Sequence, residues 1–313
     1  MSSPKKLLIA VDGSPQSVEA VNYVALNLPP TDFRVNLMYV MPTAPETLGD
    51  LGKEGFFKKK FRAKHGEWKR SEQKAAQIFL HEARSLLLKA NVREDDVGVI
   101  LQMQQVGIAR DIIAEGSRGY DAVVLGRKGL SRLGDIFLGS VSYKVVQGIE
   151  DVPVWVVGRD IRSKNMLLAV DGSENSRKAV DYAAFFAAAN ESGVRLFNVV
   201  REFRLDLLDI TTPRGAEIEM WMVDELERDV QRMLASYRRR LERAGVNASR
   251  ISSKYTLQSR SRAGDILKEA KEGSYGTIVM GRRGLTRVHE FLMGRVTTKV
   301  LHRAADFALW IVP

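Results

Sequence analysis

The strongest chemical signal in the sequence is a spaced glycine pattern that follows an apolar run and leads into a helix-like segment. Gly126 and Gly129 are separated by two residues, and nine further residues lead to Gly139 and Ser140. Glycines let a ligand approach the backbone closely, and a helix N-terminus presents free N–H groups and a positive dipole end. Together with the hydroxyls of Ser140 and Ser142, this pattern predicts a site for a di- or triphosphate. The alternative is that these are plain turn and helix-entry residues.

A second candidate for chemistry is Asp12, which directly follows the first apolar run. Open α/β sheets bind ligands at the carboxyl ends of their strands, where this carboxylate can accept hydrogen bonds from a ribose. The alternative is that Asp12 only forms a turn with Gly13 and Ser14 that caps the next helix. The sequence slightly favours the cap, and the same triplet recurs from Asp171.

Comparison of the chain with itself shows a duplication. Residues 7–26 align without gaps on residues 166–185, with 11 of 20 identical, and residues 120–146 align on residues 275–301. The offset between the two copies is 159 residues in the first block and 155 in the second. The chain is therefore expected to contain two related domains, and each half is long enough to bury a core of its own.

Each half alternates short apolar runs with longer periodic segments. The runs that predict strands are 6–11, 33–40, 97–105, 122–125 and 152–157, then 166–170, 194–200, 250–257, 277–280 and 308–312. The segments that predict helices include 15–28, 68–90, 108–117 and 140–148, and a long helix over 216–244 with Gly245 as its C-cap. Runs rich in Val, Ile and Leu are typical of parallel strands buried on both faces, so we predict doubly wound α/β domains.

Composition sets the class of protein. The 313 residues include 48 Lys+Arg, 38 Asp+Glu and no cysteine, so the formal net charge is +10. The absence of cysteine excludes disulfide scaffolds, thiol nucleophiles and cysteine metal sites. No apolar stretch reaches the 18 or more residues expected of a membrane helix, and no export signal is visible, so we expect a cytoplasmic protein.

The excess positive charge is concentrated in one segment, Lys53–Arg70, which has eight basic and two acidic residues. It lies between the second predicted strand and the helix that follows, with Phe56, Phe57, Phe61 and Trp68 among its lysines. Interleaved aromatic and cationic residues can bind a nucleic acid or an anionic membrane. The favoured interpretation is a solvated insertion whose aromatic residues pack on the domain.

The combination of LLIAVDGS, the Gly-x2-Gly-x9-Gly-Ser pattern and a closing VPVWVV resembles the universal stress protein family. LLAVDGS, MGRRG and LWIV in the second half resemble it too, so the likeness covers nearly the whole chain in tandem. The resemblance implies two tandem Rossmann-like domains, 1–160 and 161–313, each with a mainly parallel five-stranded sheet. It also implies ATP binding, alone or with Mg²⁺, and pairing of domains through their last strands, within the chain or in a homodimer.

Carried over by position, the resemblance gives each residue of the first repeat a role. Asp12 is expected to hold the ribose or the adenine edge, with Val40 packed near the adenine. The remaining residues are expected to line the pocket or wrap the phosphates: Ala10, Val11, Leu125, Gly126, Gly129, Gly139, Ser140, Val141 and Ser142.

The corresponding residues of the second repeat are Asp171, Val199, Met280, Gly281, Gly284 and Gly294. There the position of Ser140 is taken by Arg295, and Val152-Pro153-Val154 is replaced by Phe307-Ala308-Leu309. A guanidinium can pair with a phosphate or obstruct the site. We expect obstruction, and hence one ATP per chain.

The leading hypothesis from the sequence is an ATP-binding stress-related regulator or sensor. No general base or nucleophile is visible near the glycines, so binding is favoured over catalysis, with slow ATP hydrolysis as an alternative. The other alternative is an interaction protein that docks an anionic partner through Lys53–Arg70.

Overall fold

The computed structural model describes residues 4–27, 29, 33–43, 56–127, 138–201, 212–285 and 293–313, with the backbone alone over 56–65. The chain divides into two compact units, Met1–Asp160 and Ile161–Pro313. Gly129 and the start of the basic segment lie outside the described residues.

The first unit contains a parallel sheet with strand order β3-β2-β1-β4-β5. Helix α1 packs against α2, and α3 packs against α4, as expected when helices cover a sheet. Its elements are β1 (Lys5–Val11), α1 (Pro15–Asn27), β2 (Phe33–Met41), α2 (Phe56–Lys89), β3 (Val97–Met103), α3 (Ile108–Gly116), β4 (Ala122–Gly126), α4 (Ser140–Gly148) and β5 (Val154–Val157).

The second unit has the same arrangement, with strand order β8-β7-β6-β9-β10 and all neighbouring strands parallel. Its elements are β6 (Met166–Ala169), α5 (Glu174–Ala189), β7 (Val194–Arg201), α6 (Pro213–Arg243), β8 (Ile251–Ser259), α7 (Arg262–Glu272), β9 (Thr277–Gly281), α8 (Arg295–Arg303) and β10 (Ala308–Val312). The prediction of two Rossmann-like doubly wound units is confirmed.

The core of each unit lies around its central strand. Leu7, Leu8 and Ile9 of β1 are fully buried although they are consecutive, because both faces of a parallel sheet are covered. Leu167 and Leu168 of β6 are buried in the same way. The continuous apolar runs in the sequence are therefore explained by burial on both faces.

Helix α2 begins earlier than the sequence predicted. It was expected from Trp68, but it starts at Phe56, so residues 56–70 of the basic segment are its first turns and not an insertion before it. Lysine, arginine, alanine and glutamate all favour helix, and Gly66 alone does not end it. Trp68 is 38% exposed, so this aromatic ring is only partly covered by the first unit.

Helix α6 ends as the sequence predicted. Gly245 has φ +95°, in the left-handed region that glycine adopts without strain. Its N–H donates to Glu242 O at 3.0 Å, and Val246 N–H donates to Leu241 O at 3.0 Å. This pair of bonds is a Schellman cap, which satisfies carbonyls at the end of the helix.

Candidate functional site

The turn after β6 is organised by the carboxylate of Asp171. Its Oδ1 accepts hydrogen bonds from Ser173 N at 3.1 Å and from Ser176 Oγ at 2.7 Å. Ser173 is the N-cap of α5 and accepts from Ser176 N at 3.1 Å. Gly172 has φ +78°, which a side chain would strain. The triplet from Asp171 therefore forms a helix cap at the carboxyl edge of the sheet.

The equivalent turn of the first unit is built in the same way. Asp12 Oδ1 accepts from Ser14 N at 3.0 Å and from Ser17 Oγ at 2.5 Å, and Gly13 also has φ +78°. The cap interpretation thus holds for both repeats. It does not exclude ligand contact, because each carboxylate oxygen has two lone pairs and capping uses one oxygen.

The second oxygen of Asp171 contacts the loop between β9 and α8. We call this segment, with Gly281, Gly284 and Gly294, the glycine loop of the second unit. Asp171 Oδ2 accepts from Leu285 N at 3.2 Å. A β-carbon placed on Gly284 would lie 2.4 Å from the same oxygen, so a side chain at this position would push the loop away. The structure therefore brings Asp171 and Gly284 together, although they are far apart in the sequence.

The first glycine of each loop has a packing role. A β-carbon on Gly126 would lie 2.7 Å from the carbonyl oxygen of Gln16, and one on Gly281 would lie 2.8 Å from the carbonyl carbon of Asn175. These atoms belong to the first turns of α1 and α5. Glycine at these two positions is required for strand and helix to approach closely.

The last glycines, Gly139 and Gly294, are the N-caps of α4 and α8 and have φ −60° and −63°. The N–H of Gly139 donates to Arg127 O at 2.9 Å, and the N–H of Gly294 donates to Arg282 O at 2.8 Å. These two arginines directly follow β4 and β9. The first N–H groups of a helix have no intrahelical acceptor, so each start is suited to an anion.

Ser140 is exposed at the start of α4, and Val141 beside it is partly exposed. Ser142 differs, because it is buried and its hydroxyl donates to Gly126 O at 2.8 Å. Thr297 makes the same bond to Gly281 O at 3.0 Å. The hydroxyl proton of Ser142 is therefore used within the protein in this arrangement and is not directed to a phosphate.

A cavity of about 630 Å³ lies at the carboxyl edge of the second unit, within the size range of small-molecule sites. All six residues that the sequence assigned to a site in the second repeat line it: Asp171, Val199, Met280, Gly281, Gly284 and Gly294. Phe197 and Ile266 add apolar surface, and both are buried. The second repeat therefore combines an apolar floor, a carboxylate and a glycine loop around one volume.

Five cationic side chains line this cavity: Arg260, Arg262, Arg283, Arg295 and Lys299. Among the described residues that line it, the one carboxylate is Asp171. Arg295, which the sequence led us to expect as an obstruction, is exposed and lines this cavity. Such a lining favours a ligand with several negative charges.

The residues from the end of β8 to the start of α7, Ser259 to Arg262, also line the cavity and were not predicted from the sequence. They follow the third strand of the repeat, and no glycine motif marks them. The rule that the carboxyl ends of parallel strands surround the ligand would have pointed to them.

In the first unit, Ala10, Val11, Val40 and Leu125 are buried at the carboxyl ends of three neighbouring strands, β1, β2 and β4. Beside them is Tyr39, which pairs in register with Val11. The pocket-lining positions of the first repeat are therefore close together, whereas the loop with Gly129 is outside the described part of the chain.

Tyr39 is a further residue of this region that the sequence did not point to. Its hydroxyl donates to Glu72 Oε1 at 3.1 Å. Burial, reinforced by the negative charges of Glu72 and Asp12, raises the pKa of Tyr39 above its usual range. The hydroxyl is therefore a neutral hydrogen-bond donor next to Asp12. The second repeat has Asn198 at this position, which donates to Val170 O at 2.7 Å.

The described residues contain neither a metal-binding cluster nor a membrane-spanning helix. No group of three or more His, Asp or Glu side chains is placed to hold a metal ion there. No helix in the same residues is long and apolar enough to cross a membrane.

Comparisons with known proteins agree with this architecture. The sequence profile of the Universal stress protein family matches the chain twice, over residues 4–158 and 162–312. A universal stress protein of Mycolicibacterium smegmatis is 26% identical over 320 aligned positions that cover 98% of this chain and 97% of that protein. Universal stress protein YxiE of Bacillus subtilis is 29% identical over 139 residues, which cover 43% of this chain and 89% of YxiE.

The fold comparison gives the same result. The crystal structure of a universal stress protein from Archaeoglobus fulgidus superposes with a TM-score of 0.61 at 19% identity. The superposition covers 98% of this chain and 97% of that one. Two family matches, one in each unit, and a shared fold over almost the full length lead to one conclusion: the chain is a tandem member of the universal stress protein family.

Proposed function

We propose that the chain binds ATP at the carboxyl edge of its sheets and acts as a stress-related regulator or sensor. The observation that carries the proposal is the cavity of the second unit, where Asp171, the glycine loop and the start of α8 surround a volume of about 630 Å³. Arg283, Arg295 and Lys299 line it beside the start of α8 and favour a triphosphate there. The family resemblance supports the same ligand.

In the proposed complex, the triphosphate lies against Gly284, Gly294 and the first turn of α8. The free N–H groups of that turn and the side chains of Arg295 and Lys299 supply positive potential. The nucleoside then extends along the carboxyl edge, past Asp171, toward the end of β7. Asp171 is the natural acceptor for a ribose hydroxyl, since its Oδ2 makes a single hydrogen bond among the described residues.

A magnesium ion that accompanies ATP would be held mainly by the phosphates. Asp171 is the one carboxylate among the described lining residues, and Mg²⁺ is often bound by one or two carboxylates together with substrate phosphates. Asp171 also accepts three hydrogen bonds from the protein, so its position is fixed by the fold. Among the described lining residues, no histidine or second carboxylate accompanies Asp171 as a general base, which favours binding over hydrolysis.

For the first unit, we propose a second ATP site on Ala10, Val11, Asp12, Val40 and Leu125. The same proposal places the phosphates at Gly126, Gly129, Gly139 and Ser140, beside Val141. The support for this site is that Asp12 and Gly139 form the same caps in the first unit as Asp171 and Gly294 form beside the cavity of the second unit.

Two matched variants test the proposal. Gly294→Val and Gly139→Val each put a branched side chain at the N-cap, in a backbone conformation that valine adopts freely. A β-carbon on Gly294 meets no atom closer than 3.4 Å, so that variant is expected to fold. Loss of one charge-assisted hydrogen bond to a phosphate would weaken ATP binding by about 10- to 150-fold.

Calorimetric titration of the full chain should show two ATP sites, and each variant should lose one of them. Circular dichroism provides the control that the variants are folded. If ATP binds to neither unit, or if Gly294→Val leaves both sites unchanged, the proposal is wrong. Mass spectrometry of nucleotide released from the denatured protein separates binding from hydrolysis, since ATP supports the first and ADP the second.

A further inference from the structure

The cavity of the second unit has two separate groups of cations. Arg283, Arg295 and Lys299 belong to the glycine loop and α8, where the phosphates are proposed to bind. Arg260 lies between β8 and α7, and Arg262 is the first residue of α7. Neither of these two forms an ion pair within the described part of the chain. The second group is therefore available to a ligand and is not explained by the phosphates.

The two groups follow strands that are not neighbours in the sheet, although α7 and α8 themselves pack against each other. From β8 to β9 the sheet runs β8-β7-β6-β9, which is three strand spacings, or about 14 Å. Asp171, at the end of β6, lies between the two groups. A nucleoside triphosphate whose phosphates contact α8 and whose ribose contacts Asp171 would extend its base toward the ends of β7 and β8, and Arg260 directly follows β8.

The first repeat lacks this second group. Alignment of α3 with α7, in which Ala109 matches Ala263, places Val106 opposite Arg260 and Ile108 opposite Arg262. Val106 is 65% exposed, so an apolar side chain faces solvent where the second repeat has a guanidinium. The part of the proposed site that would face the base is therefore apolar in the first repeat. In the second repeat it carries hydrogen-bond donors.

The loop that carries the arginines is held by other side chains. Ser261 Oγ accepts from Gly264 N at 3.2 Å and caps α7, and Ser259 Oγ accepts from Ser261 N at 3.1 Å. Arg260 is exposed and Arg262 is half-buried. The two guanidinium groups are therefore not needed to shape the loop, and their replacement should leave it in place.

A guanidinium has only donors, arranged as a planar fork. Guanine presents two adjacent acceptors, O6 and N7, which fit this fork, whereas adenine presents the N6 amino donor beside N7. We propose that Arg260 and Arg262 make the second unit selective for a guanine nucleotide over ATP. The second unit still binds ATP, but more weakly than GTP, whereas the first unit, with Val106 and Ile108, has no such preference for guanine. The inference rests on the proposed nucleotide site and adds which base this site recognises.

The test compares the affinities of two proteins for ATP, GTP and inosine triphosphate. The double variant Arg260→Val, Arg262→Ile gives the second repeat the residues of the first, and Gly139→Val in both proteins removes the site of the first unit. In the parent protein, which carries only Gly139→Val, GTP and inosine triphosphate should bind about 5- to 150-fold more tightly than ATP. One bidentate contact accounts for a difference of this size. Inosine triphosphate has O6 and N7 but no 2-amino group, so it isolates the proposed contact.

In the double variant, the preference for GTP and inosine triphosphate over ATP should disappear, while ATP affinity changes by less than about threefold. The reciprocal variant Val106→Arg, Ile108→Arg, made in a Gly294→Val background, should give the first unit a preference for GTP. If the double variant weakens ATP and GTP equally, or if the parent does not prefer GTP, the inference is wrong although nucleotide binding stands. If no nucleotide binds to any of these proteins, the proposed function itself fails.

Discussion

Gly281 provides the sharpest test of why glycines occur where they do in this chain. A β-carbon at this position would lie 2.8 Å from both the carbonyl carbon and the Cβ of Asn175, and 3.0 Å from Ser176 N. Two of these are backbone atoms of α5 and cannot rotate away, so strand and helix must separate to admit a methyl group. Gly281 is not among the glycines with positive φ, so alanine adds no backbone strain of its own.

The expected change in the free energy of unfolding on Gly281→Ala is the sum of two opposing contributions. Overpacking of a tight core costs about 1–3 kcal/mol, and replacing glycine by alanine returns about 0.4–1 kcal/mol through the unfolded chain. We therefore expect Gly281→Ala to lower the free energy of unfolding of the second unit by about 1–2 kcal/mol. With a slope of about 2 kcal/mol per molar urea, the unfolding midpoint falls by about 0.5–1 M.

The matched control is Gly294→Ala, because a β-carbon at Gly294 has its nearest neighbour at 3.4 Å, an ordinary contact. Its free energy of unfolding should change by less than about 1 kcal/mol, within the range of an N-cap substitution. Urea unfolding is followed by circular dichroism, and hydrogen exchange of β9 peptides assigns the change to the second unit. Equal midpoints for the two variants would refute the packing role of Gly281.

Two further predictions concern ionisable side chains of the second unit. Glu269 is buried, which alone would raise the pKa of its carboxyl, but ion pairs with Arg195 and Lys254 outweigh burial and lower it. Glu269→Gln should cost about 1.5–3 kcal/mol at pH 7. The difference in free energy of unfolding should shrink below about pH 4, as the carboxylate protonates; a constant difference down to pH 3 would contradict this. Burial, followed by the charge of Asp171, raises the pKa of Tyr237 to about 12. Stability from this residue is present below about pH 10 and lost as the pH rises through 12, so Tyr237→Phe should show a smaller alkaline loss in urea unfolding; an identical alkaline loss would contradict the assignment.

Much of the fold could be predicted from the sequence because its determinants are local or repeated. The duplication, the apolar runs buried on both faces and the turn triplets at Asp12 and Asp171 are all visible without a structure. Each reflects a period or a spacing that short-range sterics and burial impose. The start of α2 was mispredicted, because charged residues without apolar periodicity favour a helix as strongly as a solvated loop.

The candidate site was predictable only where a motif marks it. The glycine pattern pointed to Gly281, Gly284 and Gly294, and all three line the cavity. Their separate roles were not predictable, because Gly281 faces α5 and Gly284 faces Asp171, and both contacts join distant parts of the chain. Arg260 and Arg262 carry no local signal at all.

The sequence by itself determined that two related α/β units exist and that each has a capped turn and a glycine loop after its strands. The tertiary structure alone decided which side chains meet around one cavity. The parallel sheet sets the carboxyl ends of β6, β7, β8 and β9 side by side, although about 110 residues separate Asp171 from Gly284 along the chain. Residues at or after the ends of four strands therefore share one volume because of strand order, which no single segment of the sequence encodes.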